Sequence, residues 1–543
     1  MKICIKILLL IITVSNSFSQ PIISGKIGGF DNQNCYAVSN SQGDVFMTGA
    51  TEGQVTVDSV THYVSGWSDI YIARISSTGS ILWYKQFGSY NPEWEEFYEA
   101  PGGMKIDQTS QVIYITGICK ESIHIDTFNV PAASAFLIKF RYDGSVDWIR
   151  WAASSYLGSG GAQIAAGDVD ISNPLLIKWF FSSRNEFTLD SQNYPAGAYI
   201  VEMQPTGVIQ TCQQVMQGVD ALHIETTDKE YLFVGNSWND TIYYLDTMYV
   251  SNENGNGIFA KYDSSLNLVM HLECGEVGIA TASSASLDEN GSVYGSGGFM
   301  GAIKIGNDTF HALSPLILDS FLFKADSLGN LLWFRNSNSN GAYGSYLFDM
   351  TAVRAGMFYA TGHFSGEALF GAISVSAYAV EDAFIAKYDT SGNCIGVIHF
   401  GEAEGWCIEY KDASNLLLGG WFNNTLVLGA DTVTSINGFD AIAITVDTIL
   451  TSLVEPLQRV NNGLLIYANP SNGRCKIDVP EVLYGSKDLI LRIYQENGQL
   501  LNEYQISQDN WSVPIDITSS PAGIYPVVLT DGKNIFNGRI IFQ

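Results

Sequence analysis

Cations are scarce in this 543-residue chain: 27 Lys and Arg stand against 55 Asp and Glu, a net charge of -28. Such a chain lacks the clustered cations that phosphate contacts require, which excludes nucleic acid as a partner. Proline is sparse as well, 14 residues beside 53 glycines, and no sustained heptad of apolar residues argues for a long helix. There is no Cys-x-x-Cys pair and no zinc-finger spacing. The His-Glu-x-x-His, Gly-x-Ser-x-Gly, phosphate-loop and dinucleotide signatures are all missing, so no familiar catalytic or nucleotide motif suggests an activity. Beyond the N-terminus no apolar run approaches the ~20 residues of a membrane span.

What is abundant is strand and turn material: 28 Tyr, 28 Phe and 46% hydrophobic residues, with the many glycines as punctuation. Lys2 and Lys6 precede an apolar run from Ile7 to Val14 and small residues ending Ser17-Phe18-Ser19, so residues 1–19 are expected to be a secretory signal cleaved before Gln20. Its removal takes Cys4 away and leaves seven cysteines, an odd number, read mostly as small buried hydrophobes. From Gly463 onward there are six basic and eight acidic residues, so the excess negative charge belongs to the region before it. Its plain meaning is solubility outside the cell. No cofactor is expected, and Ca2+ is the ion such a surface could hold.

The stretch from Asp69 to Gly88 reads as a hairpin: Ile70 and Ile72 face one way, Tyr71, Ala73 and Ile75 the other, then Ser77-Thr78-Gly79-Ser80 turns into a return strand with Trp83. Weaker copies return about every sixty residues. Each copy contains an apolar strand ending near Gly (Asp44 to Gly49, Val112 to Gly117, Met357 to Gly362), a short alternating piece (Val55 to Asp58, Ile123 to Asp126, Leu426 to Gly429) and the hairpin itself. There are seven copies, and the seventh stops at Asp440 to Asp447 without its return strand. The missing strand is found at the other end of the chain, where Ile22 to Gly29 resembles the return strand closing in Phe87-Gly88. An open solenoid would not need that resemblance. The expected fold is therefore all-β: a seven-bladed β-propeller over residues 20–450, closed by an N-terminal strand. Trp83, Trp148 and Trp333 share one repeat position and are expected to be packing residues.

Asp319-Ser320-Phe321-Leu322-Phe323-Lys324-Ala325-Asp326-Ser327-Leu328-Gly329-Asn330 with Trp333, and Asp382 to Asn393 with Phe400-Gly401, resemble the SBBP-type bacterial β-propeller repeats. The resemblance covers roughly residues 21–449 and is poorest in the third copy, where Lys178-Trp179-Phe180-Phe181 lacks the Thr-Gly.

Residues 451–462 read as a linker containing Pro456, and residues 463–543 as a small C-terminal β-sandwich of alternating strands separated by Asn-Gly and Asp-Gly turns. Tyr467-Ala468-Asn469-Pro470-Ser471-Asn472-Gly473, Asn497-Gly498, Gly523 with Tyr525, and Asp531-Gly532 are similar to the type A C-terminal sorting domain of the Bacteroidetes type IX secretion system. That resemblance implies export to the outer-membrane surface or the medium, with the secretion machinery as partner. Pro526 cannot donate to a neighbouring strand, so an edge position or a bulge is expected there.

On the propeller reading, the loops between repeats share one face with the connections between second and third strands. Candidate ligand-binding residues on it are Trp67, Glu93, Trp94, Glu95, Glu402, Glu404 and Trp406, because an indole face stacks on sugars while carboxylates accept from hydroxyls or bind a metal. The same acids would also serve simply to solubilise loops. His363, a lone histidine, reads as structural. Two functions remain open: a non-enzymatic binding or adhesion scaffold for glycan, matrix or protein, expected as a monomer, and a carbohydrate-active hydrolase or lyase pairing Glu95 with Glu402 or Glu404. Cys35 and Cys407 begin the first strands of the first and seventh repeats, so closure would place them side by side, within reach of a disulfide.

Overall fold

The computed structural model describes the chain except residues 1–21, 58–59, 90–98, 156–163, 239–240, 245–246, 251–255, 276–277, 429–430, 437, 449–463, 465, 468–470, 481–482, 484–488, 496–499, 508–511, 532–534 and 543. The signal and the linker expected from sequence thus lie outside the described residues. The chain divides into two compact units, Met1–Val454 and Glu455–Gln543. Among the described residues both are built of strands, and no helix is long and apolar enough to cross a membrane.

In the first unit one pairing order recurs. In the second repeat Ala100–Asp107, Val112–Cys119, Ser134–Arg141 and Val146–Ser154 pair antiparallel in chain order. Ala280–Leu287, Val293–Met300, Leu318–Ala325 and Leu331–Asn336 repeat it, as do Ser345–Met350, Met357–Phe364, Asp382–Asp389 and Cys394–Gly401. The middle strands are buried on both faces: every residue of Ser134–Arg141 but the last is buried, and since neighbours point to opposite sides, such a run needs cover above and below. In the third repeat the first strand is split into Ile164–Ala165 and Val169–Asn173, both paired with Leu176–Ser183.

The last repeat has three strands of its own, Ala403–Tyr410, Asn415–Phe422 and Asp440–Asp447. Its fourth is the beginning of the N-terminal strand Ile22–Ser39, with Ile22 opposite Thr445 and Ile27 opposite Ala441. After Ile27 that strand changes partner, Gly28 lying opposite Thr56, and beyond register shifts between Gly29 and Cys35 it becomes the first strand of the first repeat, with Ser39 opposite Val45. Gly25 permits the close approach: a Cβ there would lie 2.6 Å from Ile75 Cδ1 and 2.9 Å from Met47 Sδ.

Neighbouring repeats are stapled by the tryptophans. The indole Nε1 of Trp83, Trp148 and Trp333 donates to the carbonyls of Tyr142, Pro205 and Thr390, at 2.8, 3.0 and 3.1 Å, each in the turn between third and fourth strands of the next repeat. Each ring lies on the glycine of that turn, Gly144, Gly207 and Gly392, all with positive φ. Cations of the third strands add to this: Lys139, Lys261 and Lys387 donate to Pro205, Gly291 and Thr448 carbonyls. The acid that opens several third strands is buried and ties the preceding hairpin down; Asp382 accepts from Tyr378 and Ala379 N–H, Asp440 from Ile436 N–H.

In the second unit a three-stranded sheet, Ile466–Tyr467, Arg474–Asp478 and Ser512–Asp516, and a four-stranded sheet in the order Leu500–Ile506, Leu489–Tyr494, Gly523–Thr530 and Ile535–Phe542 share one apolar cluster that includes Ile477, Leu491, Ile515 and Leu529. Pro526 pairs with Arg539 on one side only, because the pairing with Leu489–Tyr494 ends at Val527; it thus stands at an edge, where a residue without an N–H is tolerated. Gly473 holds φ +90, where a Cβ would meet Phe542 and the Thr518 backbone at 3.0 Å, and the Tyr525 hydroxyl donates to Pro521 O at 2.5 Å. Asn472, Gly523 and Asp531 are also described, whereas Asn469, Pro470, Asn497, Gly498 and Gly532 lie outside the described residues.

The turn glycines give a paired test. Gly79 (φ +85) has nothing within 4 Å of an added Cβ, whereas at Gly392 (φ +78) the Cβ would sit 2.7 Å from Trp333. Gly79→Ala should cost only the backbone strain, ~1 kcal/mol, and Gly392→Ala a further ~1–3 kcal/mol of overpacking. Denaturant midpoints of the two variants check this, and equal losses would contradict the staple.

Candidate functional site

Six of the seven first strands carry an irregularity at the same height. Register shifts fall between Gln33 and Cys35, Pro101 and Gly103, Ala221 and His223, Ala282 and Ala285, Leu347 and Asp349, and Gly405 and Cys407. The third repeat breaks its strand there instead, at Ala166-Gly167-Asp168. A bulge adds one residue and re-aims the side chains around it. Here those side chains face one cavity of about 490 Å³, which residues from the first strand of every repeat line. The extra residues of the sixth and seventh repeats are Phe348 and Trp406, and their rings stack at 4.1 Å between centroids.

Other groups that line the cavity are charged. His223 Nδ1 lies 3.0 Å and Lys105 Nζ 3.8 Å from Asp168 Oδ2. Burial alone would raise the Asp168 pKa, but Lys105 and His223 outweigh it and hold the carboxyl below its ordinary value; Asp168 in turn raises both cations, against the burial that opposes them. Three further acids of the first strands, Asp349 and Glu409 in the lining and Glu225 outside it, are stitches between repeats. Asp349 accepts from Ile408 N–H of the seventh repeat at 2.9 Å and Ser284 Oγ of the fifth at 2.8 Å. Glu225 accepts from Leu287 N–H at 3.2 Å, and Glu409 from Ser39 N–H at 3.3 Å. Burial raises all three, Glu409 to about 7.

Beside the aromatic pair lies a second cluster. His363, Glu381 and Glu404 each offer one ligand atom, all within 4.8 Å of one another. Burial lowers the His363 pKa to about 4, and burial with the nearby Glu381 charge raises Glu404 to about 8.

The residues singled out from sequence are dispersed by this geometry. Glu404 and Trp406 come together with Phe348 and His363. Glu402 instead caps its own repeat: it holds φ +50, its carbonyl accepts from Asn423 N–H at 2.8 Å, and its carboxylate accepts from Asn424 Nδ2. Trp67 was expected in a long connection, but it is an exposed residue within the strand Val60–Ile75, at the register shift between Tyr63, opposite Gln54, and Ser68, opposite Glu52. Glu93, Trp94 and Glu95 lie outside the described residues; Glu99 is buried and accepts from Ser89 Oγ, while Ser68 Oγ donates to its carbonyl. Cys35 and Cys407 are both buried free thiols, Cys407 Sγ accepting from Ala37 N–H at 3.2 Å. Lys105, Asp168, His223 and Phe348 were missed, since bulges and the strand break of the third repeat interrupt the alternation from which inward-facing positions are read, and Glu381 was missed because it stands outside the strand that follows it.

Residues 465–543 match the family described as the secretion system C-terminal sorting domain. This tail marks the protein for export to the cell surface, the outer membrane or the medium, and implies interaction with the type IX secretion system. No curated protein matches the chain. Similar solved structures include the polysaccharide lyase Uly1 (9% identity, TM-score 0.36, covering 77% of this chain and 90% of that one). A Synechocystis apocarotenoid oxygenase (9%, TM-score 0.36, 80% and 94%) and the extracellular domain of a one component system of B. thetaiotaomicron (10%, TM-score 0.23, 94% and 80%) are others. Likenesses this distant carry no argument about ligand or activity.

The Glu409 carboxyl gives a pH test. Its pKa rises from the ordinary 4.5 to about 7 on folding, so the folded state binds the extra proton and stability falls as pH rises through that window. Glu409→Gln, which keeps the acceptor for Ser39 N–H but cannot ionise, should flatten the fall in melting temperature between about pH 4.5 and 7. A slope unchanged by the substitution would contradict the assignment.

Proposed function

We propose that the protein is an exported, non-enzymatic binding scaffold: a seven-bladed β-propeller closed by its N-terminal strand and followed by a small β-sandwich that serves as the sorting tail. It takes a glycan, or a glycan-bearing matrix or protein ligand, at the cavity where the repeats converge. The observation that carries this reading is the stacked pair Phe348 and Trp406, presented by bulges of adjacent repeats to a cavity of about 490 Å³, a volume in the usual range for small-ligand sites. Aromatic faces beside polar donors and acceptors suit a sugar ring, with its apolar face and rim of hydroxyls. Lys105, His223 and Ser283 line the same cavity and supply that polar side.

The alternative, a carbohydrate-active hydrolase or lyase, draws on one observation: Glu404 with its raised pKa beside Glu381 has the pattern of an acid and a carboxylate. Two features favour binding instead. Glu381 and Glu404 are absent from the cavity lining, and their side chains are only 20% and 12% exposed, which leaves no room for a glycosidic bond between them.

A glycan array and a polysaccharide panel run on the purified protein separate the two. Binding to a defined set of glycans, weakened ~10-fold or more by Trp406→Ala through loss of the stacking surface, with no sugar released, is the expected result. Release of reducing or unsaturated sugar that disappears in Glu404→Gln would overturn it.

A further inference from the structure

The cluster of His363, Glu381 and Glu404 contains an anomaly that the stitching role of the other buried acids does not explain. His363 ends one residue short of the last position of the sixth repeat's second strand, Met357–Phe364; Glu381 immediately precedes that repeat's third strand; Glu404 is the second residue of the seventh repeat's first strand. The histidine is 8% exposed, and its Nδ1 has no hydrogen-bond partner although Glu404 Oε1 lies only 3.3 Å away. Its other ring nitrogen is 3.8 Å from Glu381 Oε1. A buried polar atom without a partner is costly, and two carboxylates converging on one imidazole add mutual repulsion. Among the described residues these three form the one group of His, Cys, Asp and Glu whose ligand atoms converge so closely.

We propose that His363, Glu381 and Glu404 bind a divalent first-row transition-metal ion, with Zn2+ as the type case, clamping the sixth repeat to the seventh. One nitrogen and two carboxylate oxygens form a ligand set for Zn2+ or its neighbours; Ca2+ and Mg2+ prefer oxygen alone. With metal–ligand bonds of ~2.0–2.2 Å, two ligands of a tetrahedral ion sit ~3.4 Å apart, close to the 3.3 Å between His363 Nδ1 and Glu404 Oε1; Glu381 Oε1 lies nearer the other ring nitrogen, but one ligand atom from each of the three residues falls within 4.8 Å of the other two. A small turn of the Glu381 side chain draws the third ligand in. The ion takes the lone pair of the histidine and neutralises both acids, and a water completes the shell. Phe348, whose ring centroid is 5.5 Å from that of His363, forms part of the apolar wall around the imidazole. This proposal stands whether or not the cavity takes a glycan.

The test uses the full mature chain without a histidine tag, stripped with chelator and titrated with Zn2+ in competition with a chromogenic chelator. One ion per chain is expected, with a rise in melting temperature on binding. His363→Gln should weaken binding by ~100-fold or more and Glu381→Gln by ~10-fold or more, while His311→Gln, in an exposed hairpin of the fifth repeat, leaves it unchanged. Should His363→Gln fail to fold, Glu381→Gln, at a partly exposed side chain, decides. No stoichiometric Zn2+ binding, undiminished binding in the Glu381 and His363 variants, or tighter binding of Ca2+ than of Zn2+ would each overturn the proposal.

Discussion

The antiparallel pairing of Ile22–Ile27 with Ala441–Thr445 is the contact on which the first unit depends. Strand pairing is satisfied within every other repeat by residues close in sequence, whereas the seventh repeat lacks its own fourth strand and takes it from more than four hundred residues away. Without it the edge of Asp440–Asp447 would present unpaired N–H and C=O groups, a template for association with other chains. With it, one strand is the last of the seventh repeat and the first of the first. The same strand brings Ser39 to Glu409 and Ala37 to Cys407, so that the two ends of the repeat region share buried hydrogen bonds as well as a sheet.

Function on this scaffold is organised by a second recurring device. A regular first strand would alternate its side chains between the two faces of its own sheet. The bulges of six repeats and the strand break of the third interrupt that alternation at one height and direct residues of every repeat toward a common cavity. Most of the charge found there is committed to holding neighbours together, as with Asp349 between Ser284 and Ile408. What the stitching leaves is an aromatic face, Phe348 on Trp406, beside the group of Lys105, Asp168 and His223, and the proposed role as a binding scaffold rests on those rings.

The repeats were legible because their signals are local: a glycine after an apolar strand, an Asp before the third strand, a tryptophan in the fourth. Trp83, Trp148 and Trp333 could be assigned to packing from position alone, and the structure adds the partner, the turn of the next repeat. The truncated hairpin at Asp440 to Asp447 pointed to the N-terminal strand for the same reason. Adjacency between repeats was not legible. Nothing in the neighbourhood of His363 announces Glu404, forty-one positions later on another strand, and Phe348 reads as an ordinary strand residue until the bulge between Leu347 and Asp349 is seen. Trp67 misled because Thr61 to Gly66 lacks an apolar pattern, although Thr61 to Tyr63 pair with Gln54 to Thr56 and carry the hairpin beyond it.

Amide hydrogen exchange of Asp440–Asp447, measured in the intact chain and in a chain lacking Ile22–Ile27, tests the central claim most directly. Closure by the N-terminal strand predicts that the amides from Ala441 to Thr445 that face it are protected in the first and exchange freely in the second, with protection restored when the missing segment is supplied as a peptide. Equal protection in the two chains would show that the seventh repeat is complete without its distant strand, and would contradict the account.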